Sequence, residues 1–147
     1  MKKIFLYLLT SAFLLGSVAC GTARTSNEAP DEAGDTGSEL SAENAQENAE
    51  DATSDIRQDQ IESDNRAIEQ RNEVAGDPTE LADNDVSSLV RNKLEEAFPT
   101  SQLVVESEDG AVTVDGKVAT AEDVEKIEPL VKEVQGVKSV VVTATAE

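Results

Sequence analysis

The chain contains no histidine and no tryptophan, one cysteine, one tyrosine and three phenylalanines. Without histidine, Ser-His-Asp and Cys-His nucleophile arrangements are excluded. So are metal sites built from His and Cys. A single cysteine allows no intrachain disulfide. With aromatics at 3%, a core spread over the whole length would be thin. Bases are scarce too: 12 Lys+Arg stand against 31 Asp+Glu, a formal net charge of −19. That balance argues against nucleic acid as a partner, because phosphate binding needs a positive surface. Carboxylates alone can do acid–base work, but no pair is marked out by an apolar setting. No catalytic residue, metal or cofactor is therefore expected. The 147 residues suffice for one ordinary domain plus an extension.

What is present begins with an export signal. Lys2 and Lys3 form a basic start, and Ile4 to Leu15 is apolar except for Thr10 and Ser11. Gly16, Ser17, Val18 and Ala19 then lead to Cys20. The apolar run is short for a bilayer span and has the layout of a secretory signal. Val18-Ala19-Cys20 resembles a lipobox, the site where lipoprotein signal peptidase cuts before a lipid-modified cysteine. Ser17 departs from it, since an aliphatic residue is usual there. The resemblance implies a signal peptide over residues 1–19 and lipidation of Cys20. Each buried methylene of an attached chain contributes about 0.8 kcal/mol, so the two or three chains of such proteins hold firmly.

Residues 21–83 then change character, with 18 Asp+Glu against 4 Arg. Aliphatic residues are few, and Thr22 to Ser38 is rich in Gly, Ser, Thr, Pro and acid. Such a segment buries too little apolar surface to offset chain entropy. Ala42, Ala45, Ala49, Ala52 and Ile56 do follow heptad spacing, but the phase fails at Asp59 and Ser63. Residues 20–82 are thus expected to be an acidic tether, disordered or partly helical, ended by Gly76-Asp77-Pro78. The acid clusters at Asp31–Asp35 and Asp83–Asp85 lack the ligand spacing of a calcium loop.

From Asp83 the pattern becomes regular. Val86, Leu89, Val90, Leu94, Ala97 and Phe98 form one helical stripe. Asp83 or Asn84 is expected to cap it, and Pro99 to end it. Leu103-Val104-Val105 and Val112–Val118 flank Asp109-Gly110, a strong hairpin signal. Gly116 falls on the buried side of the second strand, which predicts a close helix backbone. Thr120 to Asp123 starts a second helix with Val124, Ile127, Val131 and Val134 on one face. Pro129 predicts a kink, or a break near Glu128. Gly136 ends the helix, and Val137 to Thr143 is a last strand. A crossover helix requires that strand to run parallel to Val112–Val118. The expected fold class is α+β: an α-β-β-α-β domain over residues 83–146, with a three-stranded mixed sheet and two helices on one face.

These residues resemble a BON domain, a module of bacterial osmotic-shock and envelope proteins. Asp109-Gly110-Ala111-Val112-Thr113-Val114-Asp115-Gly116-Lys117-Val118 matches the family's D-G-x-V-x-L-x-G-x-V pattern. Gly136-Val137-Lys138-Ser139-Val140 matches its G-V-x-x-V block. The resemblance covers fewer than half the residues. It carries one copy where several relatives carry two, and Pro129 interrupts the second helix. It implies a non-catalytic module that supports envelope integrity or stress tolerance by binding phospholipid or another envelope component. Gly110, Gly116 and Gly136 are expected to serve turns and caps rather than a ligand.

Residues 84–147 hold 13 Asp+Glu and 6 Lys+Arg, so an anionic lipid surface repels them overall. The expected partners are the membrane, through lipid on Cys20, and an envelope protein, a cell-wall component or phospholipid. The expected place is the bacterial cell envelope, with the periplasmic side of the outer membrane favoured over the inner membrane. The other reading is a structural spacer or oligomeric stalk, which the Ala-rich heptads suggest.

Overall fold

The computed structural model describes residues 21–75 and 81–147. The expected signal peptide over residues 1–19 and the expected lipidation site Cys20 lie outside the described residues. In chain order the elements are β1 (Thr22–Arg24), α1 (Ala42–Ala52), α2 (Asp55–Ala75), α3 (Asp83–Ala97), β2 (Gln102–Glu108), β3 (Ala111–Val118), α4 (Ala121–Lys132), β4 (Ser139–Val142) and β5 (Thr145–Ala146).

The fold follows the α-β-β-α-β order from α3 to β4. β2 and β3 form an antiparallel hairpin with Glu108 opposite Ala111. Asp109 and Gly110 both have positive φ, 53° and 80°, as a two-residue turn of the tight hairpin type requires. β4 runs parallel to β3, with Val112 opposite Val140. Val86, Val90 and Leu94 of α3 and Ile127 and Val131 of α4 meet Leu103, Val105, Val112 and Val114 of the sheet in one core. The period-2 pattern of the strands thus meets the period-3.6 pattern of the helices.

The sheet has five strands rather than the expected three. One addition is β1, which pairs antiparallel with the edge of β2. The other is β5, which pairs with Lys117 and Val118 farther along β3. β4 and β5 follow the same strand. Between them lie Thr143 and Ala144, across from the stretch of β3 where Gly116 has a φ of +116°.

Three further expectations are corrected. The first residue before α3 is Ala82, with no side-chain cap, because the Asp83 carboxylate is engaged elsewhere. Of the two outcomes expected at Pro129, the break near Glu128 does not occur: Pro129 lies inside α4, which continues to Lys132. The carbonyl it leaves without a helical partner belongs to Glu125, and both residues are exposed, so water can satisfy it. The backbone close to Gly116 is that of β2, not of a helix. A Cβ on Gly116 would lie 2.1 Å from the Gln102 carbonyl oxygen.

The acidic segment departs most from expectation. The expectation for residues 20–82 is an acidic tether, disordered or partly helical; the described residues 21–75 are helical in α1 and α2, but they also form β1 and pack on the C-terminal domain instead of standing free. The loop after β1 crosses the second face of the sheet. Ala33 N donates to Glu106 Oε1 at 2.8 Å and Gly34 N to Asp115 Oδ2 at 2.6 Å. Val104, turned away from the helix-side core, is fully buried. α1 and α2 are separated at Thr53 and Ser54, before the point where the heptad spacing fails. α2 then lies antiparallel on α3: Arg57 meets Glu95, Asn65 meets Asn92, and Arg71 meets Asp85. The physical reason is that α2 docks by paired polar groups with only Ile61 and Ile68 buried between them. Reckoning by hydrophobic content misses such a seam.

Candidate binding surfaces

One end of the domain gathers several chain segments. The β2–β3 turn, the start of α3 and the Gly136–Ser139 approach to β4 all meet there. Lys138 N donates to the Gly110 carbonyl at 2.8 Å. Gly110 needs its missing side chain twice over. Its φ is positive, and a Cβ would fall 2.6 Å from the Gly136 carbonyl oxygen. Gly136 in turn faces Val86 and Leu81.

Asp83 ties this end together. Its carboxylate accepts from Asp109 N at 3.0 Å, Gly110 N at 3.1 Å and Ser107 Oγ at 3.1 Å. Desolvation pushes its pKa upward, but these hydrogen bonds and the charge of Lys138 outweigh it and hold the carboxyl below its ordinary value. A depressed carboxyl stabilises the fold above its unfolded pKa, and the contribution is lost as pH falls through the folded value. Asp83→Asn is therefore expected to lower the urea midpoint at pH 6, with the gap to wild type closing below about pH 4. Urea titrations of both proteins across that range check this. A gap that stays constant down to pH 3 would contradict it.

A groove of about 690 Å³ lies between α2, α3 and the end of α4. Ile68, Leu81, Leu89 and Val134 supply apolar surface, and Glu69, Glu73 and Glu96 surround it with acid. Its base Lys93 already pairs with Glu133 at 2.6 Å.

Among the described residues the bases do not assemble into a patch. Arg91 faces Asp64, Lys117 faces Glu147, Lys126 faces Glu122 and Asp123, and Lys132 faces Glu128. These pairs are dispersed over different elements, so each of these charges is met locally, and among the described residues no polybasic face is presented to lipid. Among the described residues no helix is long and apolar enough to cross a membrane.

Sequence reasoning missed the residues that hold the acidic segment in place. Gly21 is buried beside the start of α3, and its carbonyl accepts from Ser107 N at 3.2 Å. Thr25 reaches Leu103 and Ser101 from the same segment. A signal for α2 was available: Arg57, Ile61, Ile68 and Arg71 fall on one helical face within an otherwise acidic run.

The fold is a small α+β domain, and among the described residues no group of His, Cys, Asp and Glu is placed to hold a metal ion. Residues 82–145 match the BON domain family, so the chain carries a C-terminal BON domain. BON domains are non-catalytic modules of envelope-associated bacterial proteins and are linked to membrane or phospholipid binding. No curated protein and no solved structure matched the chain.

Proposed function

We propose that this chain is a lipid-anchored envelope protein whose BON domain binds an envelope component and supports envelope integrity under stress. The observation that carries the reading is the joint presence of the BON domain at 82–145 and the lipobox-like Val18-Ala19-Cys20 in one chain. The lipid on Cys20 supplies membrane attachment, so the domain needs no basic face of its own. The outer membrane, facing the periplasm, is the favoured location. The paired bases and the acidic groove favour an envelope protein or cell-wall component over free anionic phospholipid as the ligand. α2 lies along α3 rather than extending away from it, which supports the binding-module reading over a stalk.

Cys20→Ser tests the anchor. The variant is expected to show no acyl labelling in cells and to be released as mature chain or retained as uncleaved precursor. Membrane fractionation with labelled palmitate reads both outcomes. Acyl labelling equal to that of the unmodified protein would remove the basis of the proposal.

A further inference from the structure

The acidic segment has the composition of a long leash, yet its first described residue is not at the end of one. Gly21 is buried against the folded domain, opposite Ser107 of β2. A Cβ on Gly21 would lie 2.9 Å from the Asp83 backbone carbonyl. The next residues pair with β2 in register: Thr22 with Glu106, Ala23 with Val105, Arg24 with Val104. Thr25 N continues the ladder to the Leu103 carbonyl at 2.9 Å. Cys20 is one residue before this clamp, and consecutive Cα atoms are about 3.8 Å apart.

From this placement we infer that the BON domain stands directly on the membrane that holds its lipid, with the end formed by the β2–β3 turn, the start of α3 and Lys138 facing the headgroups. The inference rests on the lipid-anchor reading above. It replaces a different arrangement. A free tether of about 60 residues would give an r.m.s. reach of roughly 45 Å, and the domain would show no preferred orientation. With the clamp in place, the leash is a single residue, and the remainder of the acidic segment wraps the domain instead of separating it from the bilayer.

The chemistry of this end suits contact with headgroups rather than insertion. Glu108, Asp109, Lys138 and Ser139 are exposed there, and no large apolar side chain is exposed among them. Asp83 consumes the turn's N–H groups. The opposite end of the sheet, with Ala119 and Thr120, lies about 25 Å away, from eight residues of β3 at roughly 3.3 Å each. That far end, where Asn48 of α1 meets the Ser101 carbonyl, is the part presented to the periplasmic space.

The test uses the full lipidated protein in vesicles of phosphatidylethanolamine and phosphatidylglycerol that carry a nitroxide on some headgroups. Because Cys20 is the chain's own cysteine and is blocked by lipid, a fluorophore can be placed through Glu108→Cys or Ala119→Cys. Quenching is expected to be several-fold stronger at position 108 than at 119. A flexible Gly-Ser insert of about 12 residues between Cys20 and Gly21, reaching roughly 20 Å, leaves the folded domain intact and should bring the two sites close to equal. Acyl labelling of every variant is measured alongside. Acylated protein with equal quenching at both sites before the insert, or stronger quenching at 119, overturns the orientation and leaves the anchor standing. Absence of acyl label overturns both.

Discussion

Gly116→Val is expected to leave the C-terminal domain largely unfolded at 25 °C. Gly116 lies in β3 opposite Leu103, and its φ of +116° is a conformation that side-chain-bearing residues rarely adopt. Backbone strain of this kind costs about 1–3 kcal/mol. Steric overlap costs more. A Cβ would stand 2.1 Å from the Gln102 carbonyl oxygen and 3.1 Å from Leu103 Cα. Both are backbone atoms of β2, so relief requires the hairpin to separate. Leu103 and Val105, fully buried in the core, would shift with it. A domain of this size has a stability of roughly 3–10 kcal/mol, from about 0.05–0.15 kcal/mol per residue, and the combined cost consumes most of it. Gly34→Ala separates strain from overlap. Gly34 also has a positive φ, +93°, but its added Cβ meets nothing within 4 Å. That variant should lose only about 1–2 kcal/mol. Circular dichroism and urea titration of both variants give the comparison. A Gly116→Val protein with a cooperative transition near the unmodified midpoint would show that β2 can move aside at little cost.

The same position shows how far the sequence could be read. The period-2 alternation of Val112, Val114 and Val118 placed Gly116 on the buried side and indicated that some backbone came close. Which backbone it was depended on the local twist of β3, which no side-chain pattern records. The Asp109-Gly110 turn was legible because its chemistry is local: two residues with positive φ are needed, and these two tolerate it. The parallel last strand was legible because a helix between two strands forces a crossover. The docking of the acidic segment was not legible, for a different reason. Low hydrophobicity and high charge signal disorder only while the charges lack partners. Asp85, Asn92 and Glu95 look like a solvent face of α3. They are buried because Arg71, Asn65 and Arg57, well upstream in the chain, answer them. The short edge strand β1 escaped for the same cause. Its partners are backbone groups of β2, which carry no sequence signature.

Arg57→Ala is expected to release α2 from α3 while the BON domain stays folded. Arg57 Nε donates to Glu95 Oε1 at 2.5 Å and its terminal nitrogen to Glu95 Oε2 at 2.7 Å. The Glu95 side chain is only 2% exposed and that of Arg57 20%. Hydrogen bonding to Glu95 outweighs desolvation and makes the guanidinium hold its proton more tightly than usual. Removing one partner of such a pair costs about 3–5 kcal/mol, because the other charge is left buried. Arg91, one turn before Glu95, is no ready substitute. It is engaged with Asn92 Oδ1 at 2.7 Å and Asp64 at 3.3 Å. Against this cost, the apolar contribution to docking comes from Ile61 and Ile68, each worth roughly 1.5–3 kcal/mol when fully buried. The two sums are comparable, so the cheaper outcome is for α2 to leave and Glu95 to regain water. The core formed by Val86, Val90, Leu94 and the sheet does not involve α2 and should persist. Hydrogen exchange then rises across residues 55–75, with little change in the global urea midpoint. Arg66→Ala, whose partner Glu62 is as exposed as Arg66 itself, should change neither quantity by more than a few tenths of a kcal/mol. The double variant Arg57→Met with Glu95→Leu replaces the ion pair by apolar groups of similar size and should keep α2 protected. Unchanged exchange in Arg57→Ala, or loss of protection in the double variant as large as in the single one, would show that the ion pair does not govern how the acidic segment is held.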